Sequence, residues 1–158
     1  MADHFITGVK PGDGEDQYKV NKYPWLQITL TEPVRIAALE LQGYQKEART
    51  EDVYLFKDVD IRAGTENTDL VQDQEASAMD TKNPLVVSFK GPLKAGVKEY
   101  LKFSEPYVTA KYIMIQRDTT SPAVMELAEV KVLVGPELNC PAMGRKLTNP
   151  GGAQVGPP

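Results

Sequence analysis

The feature of this chain that most limits its fold is a repeated alternation of apolar and polar residues over short segments. In Trp25–Leu30, leucine or isoleucine stands at every second position. Successive side chains of an extended strand point to opposite faces, so this pattern predicts a half-buried β-strand. Similar segments recur along the chain, with glycine and proline between them. Helical periodicity is weak throughout, and the sequence therefore predicts an all-β protein.

Several further segments have the length and alternation of strands. Pro33 follows the first one and predicts a break there, because proline donates no backbone hydrogen bond. The polar stretches 43–52 and 65–84 predict surface loops, and the apolar patch that ends at Phe56 predicts the beginning of a buried strand. This arrangement is typical of an antiparallel β-sandwich or jelly roll. The predicted strands are residues 25–30, 34–41, 59–63, 85–89, 99–103, 112–116 and 125–134.

Length and charge narrow the class of protein further. The chain has 158 residues, the size of one domain with a single core. Its net charge of −4 argues against binding to a nucleic-acid backbone or to an anionic lipid surface. No apolar run approaches the roughly 18 residues that a membrane-spanning helix needs. We predict a domain over 23–136, leave open whether the polar segment 1–22 belongs to it, and interpret the Pro/Gly-rich residues 137–158 as a linker or tail.

The residues that catalysis needs are poorly represented. His4 is the single histidine and Cys140 the single cysteine. Nucleophilic triads need a base beside the nucleophile, usually histidine, and zinc sites need three or four histidine, cysteine or carboxylate ligands. The 22 acidic residues are scattered without a motif. The sequence therefore predicts that this chain is not an enzyme, and that Cys140 forms no disulfide within it.

A set of segments, taken in order, is similar to the strands of a known superfamily. The segments are Trp25–Leu30 with Val34–Ile36 and Leu41–Gly43, then Asp60–Gly64, Lys111–Ile115 and Met125–Val132. They resemble strands of the discoidin domains, also called coagulation-factor C-type domains, and of the related F-type lectins. The resemblance covers roughly residues 23–135. It implies a discoidin-like antiparallel β-sandwich (jelly roll) that binds its ligand through loops at one end.

The resemblance also implies a structural calcium ion. Glu129 matches a glutamate that helps to hold this ion in the family, and Asp13 and Asp16 would supply the N-terminal part of the site. The histidine and arginines with which F-type lectins hold fucose cannot be carried over to this chain. His4 lies before the resemblance begins, and Tyr44–Asp52 contains no adjacent cysteines.

A glycan site is expected in the loop after the second predicted strand. Tyr44, Gln45, Lys46 and Arg49 offer an aromatic face and polar groups that suit sugar hydroxyls. We therefore expect an extracellular recognition or adhesion module whose signal sequence lies outside this chain. Two alternatives stay open: a protein-binding or scaffold module that has lost the sugar site, and an accessory domain of a larger enzyme. The tail with Cys140 suggests a connection to neighbouring modules.

Overall fold

The computed structural model is built from β-strands. It describes residues 5–6, 22–44, 55–71, 75–103, 107–121, 123–135, 147–148 and 154–155. No helix occurs in these ranges, so none of them holds a helix that could span a membrane. The all-β prediction is confirmed. The strands are β1 (Phe5–Ile6), β2 (Trp25–Gln42), β3 (Val59–Gly64), β4 (Leu85–Phe89), β5 (Lys98–Lys102), β6 (Val108–Arg117), β7 (Glu126–Leu127), β8 (Glu129–Val134), β9 (Leu147–Thr148) and β10 (Gln154–Val155).

The main sheet is antiparallel and is organised around β2. β6 and then β5 pair with one edge of β2, while β8 pairs with its other edge. Leu39, for example, lies between Leu101 of β5 and Val132 of β8. β3 pairs with β6, and β4 pairs with β3. The beginning of β2 therefore lies in a four-stranded half (β4-β3-β6-β2), and its end lies in a three-stranded half (β5-β2-β8).

The prediction that Pro33 ends the first strand is wrong, because β2 continues through it. Thr29 pairs with Tyr112 and Val34 pairs with Ala110, so residues 30–33 stand opposite Lys111 alone. This irregularity leaves Pro33 exposed, where its missing N–H group disrupts no regular pair. One long irregular strand therefore replaces the two predicted ones, and it connects the two halves.

A second irregularity in β2 directs its side chains into the core. The pairing of β2 with β8 shifts between Ile36 and Ala38, and Leu39 and Leu41 are buried after the shift. These residues form one hydrophobic cluster with buried residues of the four-stranded half, among them Ile61. Because the two halves share this cluster, they form the two layers of a β-sandwich. The predicted fold class is therefore confirmed.

The segment β4 has the predicted bounds, whereas β6 begins four residues before the predicted strand 112–116, and two further segments differ from their predictions. The predicted last strand, 125–134, is divided into β7 and β8, because β7 pairs with β1 whereas β8 pairs with β2. Glu126 and Leu127 are both buried, which interrupts the alternation. Phe56 does not begin a strand, although it is buried in the core as expected. Within the predicted tail, β9 and β10 pair with each other.

Candidate functional site at one end of the sandwich

The end of β6 lies between the segments that precede β2 and β3. The amide of Arg117 donates a hydrogen bond of 2.9 Å to the carbonyl oxygen of Pro24, just before β2. The amide of Asp118 donates one of 2.8 Å to the carbonyl oxygen of Asp58, just before β3. The amide of Asp58 in turn donates to Lys90, just after β4, at 3.0 Å. Four strand ends of the first half therefore meet here.

The far end of β2 returns to the same place. Gly43 donates to the carbonyl oxygen of Val97 at 3.0 Å and accepts from the amide of Gly96 at 2.9 Å. Leu93, in the same connection, donates to the carbonyl oxygen of Phe56 at 2.8 Å. Both ends of β2 thus lie at one end of the sandwich. We call this the loop end and define it as residues 22–24, 43–44, 55–58, 90–97 and 117–118.

Gly43 allows the close approach of two backbones at the loop end. A Cβ atom at this position would lie 2.1 Å from the carbonyl oxygen of Lys94, far inside a van der Waals contact. Because that neighbour is backbone, it cannot turn aside as a side chain can. The glycine of the Leu41–Gly43 segment therefore sets the position at which Tyr44 leaves the sheet.

A polar cluster of Lys57, Asp58 and Lys90 occupies the loop end, and we call it the Asp58 cluster. The ammonium of Lys90 lies 2.7 Å from Oδ1 of Asp58, and that of Lys57 lies 4.0 Å from Oδ2. The hydrogen bond from Lys90 is the main reason why the pKa of Asp58 lies below its usual range. The same bond raises the pKa of Lys90. The carboxylate is therefore held ionised at neutral pH.

A buried cation lies behind this cluster. Arg117 is 2% exposed and is among the largest fully buried side chains of the described residues. Its charge contributes to the lowered pKa of Asp58, whose side chain remains 30% exposed. The arrangement presents one partly exposed carboxylate and three cations, Lys90, Lys57 and Arg117, that lower its pKa. Such a group can accept hydrogen bonds from an uncharged polar ligand.

Residues 65–71 and 75–84 of the predicted surface loop lie against the outer face of the four-stranded half. The side-chain oxygen of Gln116 accepts a 2.7 Å hydrogen bond from the amide of Asp80, and its Nε2 donates to the carbonyl oxygen of Ala78 at 3.3 Å. Gln27 donates to Oδ1 of Asn67 at 2.7 Å. This face is therefore occupied by the chain itself, and the loop end is the more accessible candidate.

The structure describes two of the predicted site residues. Tyr44 lies half-buried at the loop end, as expected for a loop after the second predicted strand. Glu129 lies on β8 with its side chain 46% exposed and its Oε2 3.7 Å from the ammonium of Lys131. The other predicted residues, Gln45, Lys46, Arg49, Asp13 and Asp16, lie outside the described residues.

The predicted calcium site is not assembled from the described part of the chain alone. In those ranges, no group of three or more histidine, cysteine, aspartate or glutamate side chains is placed to hold a metal ion. The carboxylate of Glu129 instead lies 3.7 Å from the ammonium of Lys131. The calcium prediction therefore depends on Asp13 and Asp16 and stays a prediction.

The Asp58 cluster was missed by sequence reasoning. In the sequence, Asp58 continues the alternation of the predicted strand 59–63 as one more polar residue. In the structure it precedes the strand and has a left-handed backbone, with φ of 50°. Its partner Lys90 is 32 residues away, so no local pattern could have joined them. The only local signal is that aspartate tolerates this backbone better than most residues.

Comparisons with solved structures identify the class of fold. It is the β-sandwich of the F-type lectins and of related carbohydrate-binding modules, so the sequence resemblance is confirmed at the level of fold. A fucolectin from the serum of striped bass, Morone saxatilis, matches with a TM-score of 0.57 and 17% identity. The match covers 82% of this chain and 45% of the fucolectin chain. This chain thus spans less than half of that protein.

Two other neighbours are a lectin domain and a binding module that is derived from an enzyme. The lectin domain of lectinolysin, in complex with Lewis b antigen, has a TM-score of 0.51 and 13% identity over 85% of this chain and 94% of that one. Chitosan-binding module 1 from a chitosanase/glucanase of Paenibacillus sp. IK-5 has a TM-score of 0.50 and 14% identity over 83% and 93%. No family model and no curated protein matches the sequence.

Proposed function

We propose that this chain is a non-catalytic, extracellular carbohydrate-binding module that binds its ligand at the loop end. The observation that carries the proposal is the fold, which this chain shares with a fucolectin, a lectin domain and a chitosan-binding module. The loop end adds an accessible carboxylate, two lysines and Tyr44 at one place. Carboxylate and ammonium groups suit sugar hydroxyls, and an aromatic ring suits the apolar face of a pyranose.

The outer faces of the sandwich are less suitable as a ligand site than the loop end. The face of the four-stranded half is covered by the chain, as described above. On the three-stranded half, Glu40 is engaged by Lys98 at 3.5 Å and by Lys131 at 3.7 Å. Tyr100 is 57% exposed on this half. Because Tyr100 is an exposed tyrosine outside the loop end, it serves as the matched control for Tyr44.

A glycan array probed with the labelled chain, with and without EDTA, tests the proposal. We expect selective retention of at least one glycan, and the EDTA arm reports whether binding needs a divalent cation. Calorimetry with a retained glycan should then show weaker binding by Tyr44→Ala and unchanged binding by Tyr100→Ala. Retention of no glycan in either arm would overturn the proposal and favour a protein-binding module. Loss of binding in Tyr100→Ala alone would move the site to the three-stranded half.

A further inference from the structure

Two residues at the loop end combine a strained backbone with side chains that suit a sugar. We propose that Tyr23 and Asp58 contact the ligand directly, and that the ligand is an uncharged glycan presenting two adjacent hydroxyl groups. The inference rests on the proposed carbohydrate-binding function. It names residues and a ligand class that the sequence did not predict.

The first observation is the backbone of these two residues. Tyr23 has φ of 46° and Asp58 has φ of 50°, and in the described residues they are the non-glycine positions with positive φ. This conformation costs roughly 1–2 kcal/mol for a residue with a side chain. Tyrosine, which is bulky, adopts it rarely. Residues held in such conformations cluster at binding and active sites, where the surrounding structure maintains them.

The second observation is that both residues are held by the same short segment. The side-chain amide of Gln116 donates a hydrogen bond of 3.2 Å to the carbonyl oxygen of Tyr23. The backbone amide of Asp118 donates to the carbonyl oxygen of Asp58 at 2.8 Å. A glycine at either position would relieve the backbone cost. The presence of tyrosine and aspartate instead of glycine at these positions points to a role for their side chains.

The third observation is the position of the two residues on either side of β6. Tyr23 precedes β2 and Asp58 precedes β3, and in the sheet β6 lies between these strands. Neighbouring strands are about 4.8 Å apart, so the beginnings of β2 and β3 are roughly 10 Å apart. A single sugar ring with its hydroxyl groups can contact residues on both sides of such a gap.

The chemistry of the Asp58 cluster indicates the ligand class. Oδ1 of Asp58 bonds the ammonium of Lys90 at 2.7 Å, whereas Oδ2 is 4.0 Å from that of Lys57. A carboxylate has about four acceptor sites, so several remain for a ligand. One sugar hydroxyl can donate to the carboxylate while its neighbour accepts from a lysine. A vicinal diol satisfies both groups at once.

The hydrogen-bonding needs of Asp58 favour a neutral sugar over an acidic one. The acceptor sites that Asp58 leaves free need a donor, which a sugar hydroxyl supplies and an ionised ligand carboxylate does not. A ligand carboxylate placed against Asp58 would therefore leave these sites unfilled. Tyr23 is partly exposed, and its ring can cover the apolar face of the sugar.

The experiment uses the intact chain and a neutral glycan retained on the array, with calorimetry as the readout. Asp58→Asn keeps the shape and tolerates the left-handed backbone, and Tyr23→Asn tolerates it while removing the ring. We expect each variant to lose at least about tenfold in affinity. Asp60→Asn is the matched control, because Asp60 bonds Ser88 at 2.6 Å within the sheet. It should bind within about twofold of the parent.

A second variant separates binding from folding. Asp58→Gly removes the carboxylate but relieves the backbone cost. We therefore expect its unfolding midpoint to fall little. Its affinity should nevertheless fall like that of Asp58→Asn. If the parent binds a glycan and the Asp58 and Tyr23 variants bind it equally well, this inference fails and the proposed function stands. A preference of the parent for acidic over neutral glycans overturns the ligand class. Retention of no glycan overturns both.

Discussion

The side-chain oxygen of Gln116 accepts a hydrogen bond of 2.7 Å from the backbone amide of Asp80. Gln116 belongs to β6, is 1% exposed, and also donates to the carbonyl oxygens of Tyr23 and Ala78. One buried amide group therefore joins the long loop, the segment before β2 and the central strand of the four-stranded half. This relationship places a polar network on the side of the sheet opposite the hydrophobic core.

Replacing this amide should destabilise the fold. Gln116→Met keeps the length of the side chain and removes its hydrogen bonds, which leaves the amide of Asp80 without this partner. We expect a loss of about 1–3 kcal/mol in the free energy of unfolding, measured by urea denaturation. Gln42→Met, on a half-buried residue of β2, should cost clearly less. Equal losses in the two variants would contradict the role assigned to Gln116.

Adding a methyl group at Gly43 should strain the loop end. Gly43→Ala would place its Cβ atom 2.1 Å from the carbonyl oxygen of Lys94, so the 90–97 connection must move. We expect a destabilisation of about 1–3 kcal/mol in chemical denaturation. At Gly135, the added Cβ would lie 3.1 Å from the ring of Tyr107, a side chain that can shift. Gly135→Ala should therefore cost less, and the reverse order would refute the argument.

The Asp58–Lys90 pair should give stability a defined dependence on pH. The folded-state pKa of Asp58 is lowered, so its contribution is complete above the unfolded-state pKa of about 3.9 and is lost as the pH falls through the folded-state pKa. The folded-state pKa of Lys90 is raised, so its contribution is complete below about pH 10.4 and is lost as the pH rises through its folded-state pKa. The advantage of the parent over Asp58→Asn should therefore be greatest at neutral pH.

A double-mutant cycle isolates this pair. Lys90 is almost fully exposed, so the effect should be small and should weaken in about 1 M salt. In the Lys90→Met background, Asp58→Asn should change the free energy of unfolding less than it does in the parent between about pH 5 and 9, because only Lys57 and Arg117 then act on the carboxylate. A full effect of Asp58→Asn in that background would show that another partner stabilises the carboxylate.

The calcium prediction is tested by calorimetric titration. If Glu129 holds a calcium ion together with Asp13 and Asp16, Glu129→Ala should bind calcium less tightly than the parent. Glu40→Ala is the control. Glu40, on β2, contacts the same Lys131 as Glu129 does and is not one of the predicted calcium ligands. Binding of equal strength by Glu129→Ala and the parent would exclude Glu129 as a ligand. The absence of calcium binding by the parent would show that the resemblance does not extend to the metal.

The local elements could be predicted from the sequence to a large extent. β4 has the predicted bounds, and β3 differs by one residue. These strands follow from local alternation, because the side-chain period of an extended chain does not depend on distant residues. The errors at Pro33 and Phe56 have a tertiary origin. A neighbouring strand tolerates the irregularity at Pro33, and Phe56 is buried by packing without joining a strand.

The candidate site could be predicted from the sequence only in part. Tyr44 lies at the loop end as expected, because it directly follows Gly43, which marks the predicted end of a strand in the sequence. The assembly of Tyr23, Asp58 and Lys90 was not predictable, since residues far apart in the chain meet only through strand pairing.

The sequence by itself determined that this protein is built from β-strands, because alternation is a local property that each segment carries alone. The tertiary structure decided which strand ends converge and which face is covered. It also decided that Tyr23 and Asp58 adopt a left-handed backbone on either side of β6. Those outcomes depend on hydrogen bonds and packing between segments distant in the chain, and such contacts leave no periodic pattern in the sequence.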